Sequence, residues 1–371
     1  MIIGFDINEA NIPQRVGVNQ VAYHIFVHLV KNLQAGDHLI ALGKERPLPD
    51  MPPAGEKLTY EIFGASRAWV ITSLTKRLWY GRPKIDVLFS PSHYAPFLSP
   101  VKSAIYLMDM SFEIFGTEYF TSYDINQLKR WTPISVKKAQ KVFTISEFSK
   151  NEIVRLYQTD PHKVEVIYPS FDKSIFHGKV PKTQQIAVRN KYGIHGGFLL
   201  YWGTLQPRKN LSRLIEALGK LKETRLKLVI AGKRGWLYDQ ILEQAQKIGL
   251  ENRVIFTGYV SQEDIPALIK ASRALVLPSL YEGFGMTVVE AQAVGVPVVV
   301  SRVSSLPEVS GQSAIYIEDP RSVDSIAQAL KKVLSLSLSE RTRIIKEGKE
   351  NAKRFDWDIS AQKILAILKE I

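Results

Sequence analysis

The chain has 371 residues, no cysteine, and 49 Lys and Arg against 36 Asp and Glu, for a net charge of +13. This length suits two domains with separate cores. The absence of cysteine excludes disulfides, thiolate metal sites and cysteine nucleophiles, and no apolar run approaches the ~20 residues of a membrane-spanning helix. Short apolar runs then alternate with helical segments, the mark of parallel α/β architecture. Ile2 to Asp6 reads as a first strand and not as a secretion signal. Val21 to Leu33 follows as an amphipathic helix, with Val21, Ile25, Leu29 and Val30 on one face. Strands are expected at His38 to Leu42, Asp86 to Ser90, Ala104 to Met108 and Lys141 to Ile145. Ser146 then opens a helix, because its hydroxyl accepts from first-turn amides.

Proline and polar composition make 171–190 a linker between a domain over 1–170 and a second over 191–357. The second half gives strands at Phe198 to Trp202, Leu226 to Ala231, Val254 to Phe256, Ala274 to Leu277 and Pro297 to Ser301. Helices are expected at Leu211 to Lys222, Asp239 to Ile248, Gln262 to Lys270, Met286 to Val294, Val323 to Ser335 and Ser339 to Phe355. A last helix, about 358–371, offers Ile359, Ile364, Leu365, Ile367 and Leu368 for docking and is expected to pack back on the first domain. The expected fold is two Rossmann-like α/β domains, parallel sheets flanked by helices, with an interdomain cleft at the carboxyl ends of the strands.

The stretch Pro278 to Pro297 holds the densest chemistry. Gly283 and Gly285 permit close backbone approach. The amides of Phe284 to Thr287 open a helix, and that positive end suits a diphosphate. Glu282 and Glu290 are carboxylates that accept from sugar hydroxyls. Arg208 and Lys209 put basic residues at a helix start, where the dipole prefers acids, which argues for a functional reason. No metal is expected: Asp6-Ile7-Asn8 and Asp356-Trp357-Asp358 sit at poor places for a diphosphate-bound ion. The seven histidines lack ligand spacing, and His24 and His28 read as ordinary helix residues. The positive charge favours anionic partners, yet no nucleic-acid-binding signature accompanies it.

Two glutamates with seven residues between them, inside a Glu-Gly-Phe-Gly loop, resemble the signature of family 4 retaining glycosyltransferases, which adopt the GT-B fold. Gly203 to Asn210 resembles the donor-phosphate turn of that family, and Ala231 to Trp236 its next strand-end loop in mannosyltransferase-like form. Phe256 to Val260 resembles the base-side loop, while Thr144 to Ser149 and Val166 to Pro169 resemble the end of the first domain. The resemblance implies a metal-independent hexosyltransferase without cofactor. Its donor would be a nucleotide diphosphate sugar, GDP-mannose favoured, and its acceptor a glycan or lipid-linked glycan in polysaccharide assembly. By the same resemblance Glu282 contacts the donor sugar, Glu290 the ribose, and Arg208 and Lys209 the departing phosphate. Further donor contacts fall on Gly17, Gly203, Thr204, Lys233, Tyr259, Val260, Gly283, Phe284, Gly285, Met286 and Thr287.

Three features depart from the family pattern. Thr204 stands where many relatives carry arginine. Asn19 stands where a second glycine often follows Gly17. Met108 replaces the histidine of a His-Asp pair, leaving Asp109 to orient the acceptor, with His93 as a neighbouring substitute and Ser146 also on the acceptor side. A thioether cannot do the histidine's hydrogen bonding, so a non-catalytic sugar-nucleotide-binding subunit and a sugar-nucleotide epimerase stay open as alternatives. The basic, aromatic segment Arg67 to Tyr80 reads as a helix with Ile71, Leu74 and Leu78 as its buried stripe, or as a surface for anionic membrane. The expected location is cytoplasmic, peripheral at the inner face of the cell membrane.

Overall fold

The computed structural model describes residues 1–15, 17–64, 68–108, 110–116, 122–232, 243 and 245–371, with side chains at 122–124 excepted. Asp109, Lys233, Arg67 and half of the helix expected at Asp239 to Ile248 lie outside the described residues. The chain divides into two compact units, Met1–Pro169 with Asp356–Ile371, and Ser170–Phe355.

In unit 1, seven parallel strands run β1 Ile2–Asp6, β2 His38–Gly43, β3 Leu58–Ile62, β4 Val87–Ser90, β5 Lys102–Leu107, β6 Lys141–Thr144 and β7 Val164–Val166. Their order is β3-β2-β1-β4-β5-β6-β7. Helices cover parallel strands, so their side chains are buried and their sequences are apolar runs instead of alternating patterns. Phe5 on β1 pairs in register with Phe89 on β4, and their rings meet edge to face at 5.4 Å. Phe143 on β6 extends the stack at 5.5 Å from Phe89.

The helix Val18–Asn32 buries Val21, Ala22, Ile25, Phe26 and Leu29. Its other face receives the last helix, Trp357–Glu370. The Trp357 ring stacks on His24 at 5.2 Å. Asp358 binds His28 Nδ1 at 2.8 Å, Lys31 Nζ at 2.7 Å and Asn32 Nδ2 at 2.7 Å. Burial opposes the Asp358 charge, yet the bonds from Lys31, His28 and Asn32 hold its carboxyl well below the usual range. Ile364, Leu365, Ile367 and Leu368 are buried, whereas Ile359 is 63% exposed and takes no part in the docking expected of it. The segment Arg67 to Tyr80 also differs from a simple helix. A π turn over Val70–Leu74 leads into a helix over Thr75–Tyr80. Trp69, Leu74 and Leu78 are buried, and Ile71 is only half-buried.

In unit 2, six parallel strands run β8 Phe198–Trp202, β9 Lys227–Ala231, β10 Val254–Gly258, β11 Leu275–Leu277, β12 Val298–Ser301 and β13 Ala314–Ile317. Their order is β10-β9-β8-β11-β12-β13. The stretch expected as a linker over 171–190 clusters with this unit and contains the helix Lys182–Lys191. Val188 is buried there, and Lys191 Nζ donates to Asp264 at 2.6 Å, so tertiary contacts outweigh the polar composition.

One close backbone approach fixes the ends of β8 and β9. Gly232 has φ +148°, and a Cβ placed on it meets the Gly203 carbonyl oxygen at 1.9 Å. Gly232→Ala is therefore expected to destabilise unit 2 by roughly 3 kcal/mol, from strain plus overpacking. Denaturant titration of the variant against the parent measures this; an unchanged midpoint would refute it.

Candidate functional site

The order of strands in unit 2 reverses between β8 and β11, and ligands of open parallel sheets bind at such a switch point, beyond the carboxyl ends of the strands. Two loops meet there. After β8, Gly203 to Gln206 leads into a 3₁₀ turn at Pro207–Lys209. After β11, Pro278 to Gly285 leads into the helix Met286–Val294. The Leu280 amide donates to the Arg208 carbonyl at 2.8 Å, tying one loop to the other.

Asn210 strengthens that tie. It holds a left-handed φ of 61°, which asparagine tolerates better than most residues. Its buried side-chain amide donates to Pro278 O at 3.0 Å and Pro320 O at 2.6 Å. Ser305 Oγ adds bonds to the carbonyls of Glu282 (2.9 Å) and Phe284 (3.1 Å).

Glu282 is only 5% exposed. Lys209 Nζ donates to its Oε1 at 2.5 Å, Ser279 Oγ to the same oxygen at 2.6 Å, and Arg208 Nη1 to Oε2 at 3.2 Å. Arg208 also donates to Tyr281 O at 3.0 Å and Gln206 Oε1 at 3.2 Å. Burial alone would raise the Glu282 pKa; the charges of Lys209 and Arg208, with the bonds from Lys209 and Ser279, bring it down to about 2. The site is thus an ionised carboxylate clamped between two cations, and the 3₁₀ turn explains how basic residues stand at this helix start.

Gly285 precedes the helix Met286–Val294 at φ 99°, and a Cβ there would meet Leu306 at 2.9 Å. Only Gly285 of the expected glycine pair needs the left-handed region; Gly283 does not. Val288 N bonds to Gly285 O at 2.9 Å. The amides of Met286 and Thr287, in the first turn, have no acceptor within their own helix.

Glu290 lies one turn further on and is half-buried. Trp202 Nε1, at the end of β8, donates to Glu290 Oε2 at 2.9 Å. Desolvation pushes this carboxyl up to about 7, against the Trp202 bond. Its folded value exceeds the ordinary 4.5, so the native state holds an extra proton between pH 4.5 and about 7, and stability falls as pH rises through that window. Glu290→Gln is expected to flatten that decline. Unfolding midpoints of parent and variant across the window check it, and their difference cancels Asp6, which burial pushes up to about 6 in unit 1.

The remaining expected residues scatter more. Thr204 accepts from the Tyr201 hydroxyl through its carbonyl at 2.9 Å. Tyr259 is 63% exposed, but the Val260 side chain is buried at 1%, so only its backbone can face a ligand. In unit 1, Gly17 is exposed at φ 47°, at the start of the helix Val18–Asn32, and Asn19 donates to Glu9 at 2.8 Å. Met108 is buried at 4%, as an apolar thioether at a strand end prefers. Ser146 is fully buried, and its hydroxyl caps the helix Glu147–Tyr157 by accepting from Ser149 N at 3.0 Å. His93 is half-buried against the Phe112 ring at 5.5 Å. Among the described residues, no group of three or more His, Asp or Glu side chains is placed to hold a metal ion.

Sequence reasoning missed Ser279, Trp202 and Ser305 as parts of this site. Ser279 lies inside the stretch Pro278 to Pro297, three residues from Glu282, but nothing in the pattern marks its hydroxyl as a donor to that carboxylate; Trp202 meets Glu290 only because β8 pairs with β11.

The profile of the family "glycosyl transferases group 1" matches residues 185–351. O-antigen chain mannosyltransferase B of Escherichia coli is 34% identical over 260 residues, 67% of each chain. Two other curated relatives are matched over 61% and 54% of their own lengths. Sucrose-phosphate synthase from Thermosynechococcus elongatus superposes with a TM-score of 0.78 at 16% identity, over 100% of this chain and 98% of its own. Anabaena HepE, solved with UDP and glucose, superposes with a TM-score of 0.76 at 18% identity, over 100% and 99%. The fold is therefore GT-B, and the chain belongs to the glycosyl transferases group 1 family, as a hexose-transferring enzyme similar to its mannosyltransferases.

Proposed function

We propose that the protein transfers mannose, with retention of anomeric configuration and without a metal ion, from GDP-mannose to a glycan or lipid-linked acceptor. The observation that carries this reading is the clamp of Lys209 and Arg208 on buried Glu282, beside the first turn of the helix Met286–Val294. The hard step in glycosyl transfer is charge separation, as the sugar becomes oxocarbenium-like and the diphosphate departs as an anion. Lys209, Arg208 and the amides of Met286 and Thr287 stabilise that anion without reorganising. They supply the positive charge that a divalent ion would otherwise bring. Glu282 holds the two cations in place and accepts from a donor-sugar hydroxyl; Glu290 accepts from the ribose. Gly17, Gly203, Gly283 and Tyr259 complete the donor contacts, and Asp109 orients the acceptor. The mannosyltransferase relative supports mannose as the sugar.

A panel of nucleoside diphosphates and their sugars tests the donor by thermal shift. Transfer to a mannan oligosaccharide in the presence of EDTA tests metal independence, and the anomeric proton of the product reports retention. An inverted product or loss of transfer in EDTA refutes the corresponding part of the reading.

The acceptor side includes contact with an anionic bilayer. Trp79, Tyr80 and Leu98 of unit 1 are 49%, 77% and 62% exposed, and Trp79 Nε1 donates to Leu98 O at 2.8 Å, so they form one patch. Lys76, Arg82 and Lys84 are exposed around them. Aromatic rings with basic neighbours suit a bilayer interface. Trp79→Ser with Tyr80→Ser is expected to abolish co-sedimentation with phosphatidylglycerol vesicles; full retention by the vesicles would overturn this.

A further inference from the structure

Unit 2 has a second charged feature at the opposite end of its sheet from Glu282. A cavity of about 370 Å³ is lined by Ser272, Arg273, Val333, Leu334, Leu336 and Arg341. Arg273 lies just before β11, and its amide donates to Phe198 O, at the start of β8. β8 ends at Trp202, so the cavity and the Glu282 site are separated by the length of that strand, roughly 13 Å.

The charges around this cavity do not balance. Arg341 Nη2 donates to the Arg273 carbonyl at 2.9 Å, which brings two guanidinium-bearing residues together. Lys270 stands close enough to Arg341 for the two charges to repel, and Lys349 adds to the positive charge at Lys270. Of the carboxylates nearby, one pairs loosely with Arg273 and the other is committed elsewhere. Glu223 reaches Arg273 only at 3.8 Å, between half-exposed side chains. Glu340 is bound to Ser337, through its amide at 2.8 Å and its hydroxyl at 2.7 Å. No acidic residue lines the cavity itself. Burial first, and then the neighbouring Arg273 charge, push the Arg341 guanidinium below its ordinary value. Burial, followed by Lys349 and Arg341, does the same to Lys270. Arg341 and Lys270 are partly buried beside like charges, an arrangement that a bound anion would stabilise.

We propose that the cavity between Arg273 and Arg341 binds a phosphate monoester. Arginine guanidiniums match the planar, bidentate geometry of phosphate oxygens. Val333, Leu334 and Leu336 form the apolar wall against which the carbon skeleton of the ester rests. The volume falls within the range of small-molecule sites, about 300–1,000 Å³. The monoester is either a soluble small molecule or the head of a phosphatidic acid-type lipid; both present the same phosphate chemistry. The site is separate from the donor site and does not depend on the function proposed above.

The experiment is thermal unfolding of the full chain against inorganic phosphate, with chloride at matched ionic strength as reference. It is run on the parent, on Arg341→Gln, on Arg273→Gln, and on Lys209→Ala so that phosphate at the donor site is told apart. Phosphate is expected to stabilise the parent and Lys209→Ala alike, and each arginine variant is expected to need about tenfold more phosphate or above for the same shift. Without phosphate, Arg341→Gln should be as stable as the parent or more so, because a like charge has gone. A second arm, run in the Trp79→Ser, Tyr80→Ser background so that the aromatic patch of unit 1 does not hold the vesicle, measures retention by phosphatidylcholine vesicles doped with phosphatidic acid: retention that Arg341→Gln abolishes assigns the lipid source, and a response to free phosphate alone assigns the soluble one. The proposal is overturned if neither arm responds, if the arginine variants respond as the parent does, or if Arg341→Gln is destabilised equally with and without phosphate, which is the mark of a purely structural tie to the Arg273 carbonyl.

Discussion

Glu282→Ala is expected to lower hexosyl transfer by about 10²–10³-fold or more while nucleoside diphosphate binds at least as tightly as in the parent. Glu282 is the shared counter-ion of two cations whose side chains are 13% and 16% exposed. Removing it takes the Glu282 carboxylate away from two partly buried cations, a loss that costs about 3–5 kcal/mol when one partner of a buried pair is deleted. A diphosphate supplies negative charge at the same place. It should therefore stabilise the variant against heat more than it stabilises the parent. Glu282→Gln keeps the shape and an acceptor for the Ser279 hydroxyl, and so separates loss of charge from failure to fold. Transfer rates, calorimetric nucleotide binding and thermal shifts on the three proteins decide it. Parental turnover in Glu282→Ala would remove this carboxylate from the chemistry.

Lys209→Ala should weaken both steps. The ammonium is 2.5 Å from Glu282 and, in the function proposed above, is one of the charges set against the leaving diphosphate. Its loss is expected to reduce kcat/KM by on the order of 10²–10³ and nucleotide affinity by about tenfold or more. Stability falls less than in Glu282→Ala, because Arg208 still pairs with the carboxylate. An acid-side signature accompanies this. The parent carboxyl is held at about 2 against an ordinary 4.5, so its contribution to stability is complete above 4.5 and is lost as pH falls through the folded value. Without Lys209 the folded value moves up, and acid unfolding is expected to begin at higher pH. Lys209→Arg, which retains the charge, should recover part of the activity. Unaltered nucleotide affinity in Lys209→Ala would place the phosphates elsewhere.

The sequence made unit 2 legible because its elements are strongly punctuated. Phe198–Trp202 and Met286–Val294 begin and end where glycine, proline and apolar composition place them. The α/β class followed from the same alternation. The donor-side motif was legible as well, since glycines, basic residues and glutamates recur at fixed spacing. What spacing could not tell was who faces whom. Glu282 and Lys209 are 73 residues apart and meet only because β8 and β11 are neighbours across the switch point. Trp202 becomes the partner of Glu290 by the same non-local pairing, whereas Ser279 reaches Glu282 from only three residues away within one loop. Polar composition misled at 182–191, where burial of Val188 and the bond to Asp264 stabilise a helix that its own sequence only weakly favours. The cap at Ser146 was legible from its place before the helix Glu147–Tyr157, and Met108 is buried at the end of its strand.

Unit 1 is completed by a segment that lies beyond unit 2 in the chain, since Asp356–Ile371 packs with Met1–Pro169. During synthesis, the ribosome releases the sheet of unit 1 long before the helix that covers Val18–Asn32 exists. Unit 2, contiguous from Ser170 to Phe355, is whole earlier. The first half of the protein must then wait, with the His24 face of that helix open to solvent, and a message truncated after Phe355 yields a finished unit 2 attached to an unsealed unit 1. Nascent chains arrested at that point should expose unit 1 to protease or chaperone while unit 2 resists.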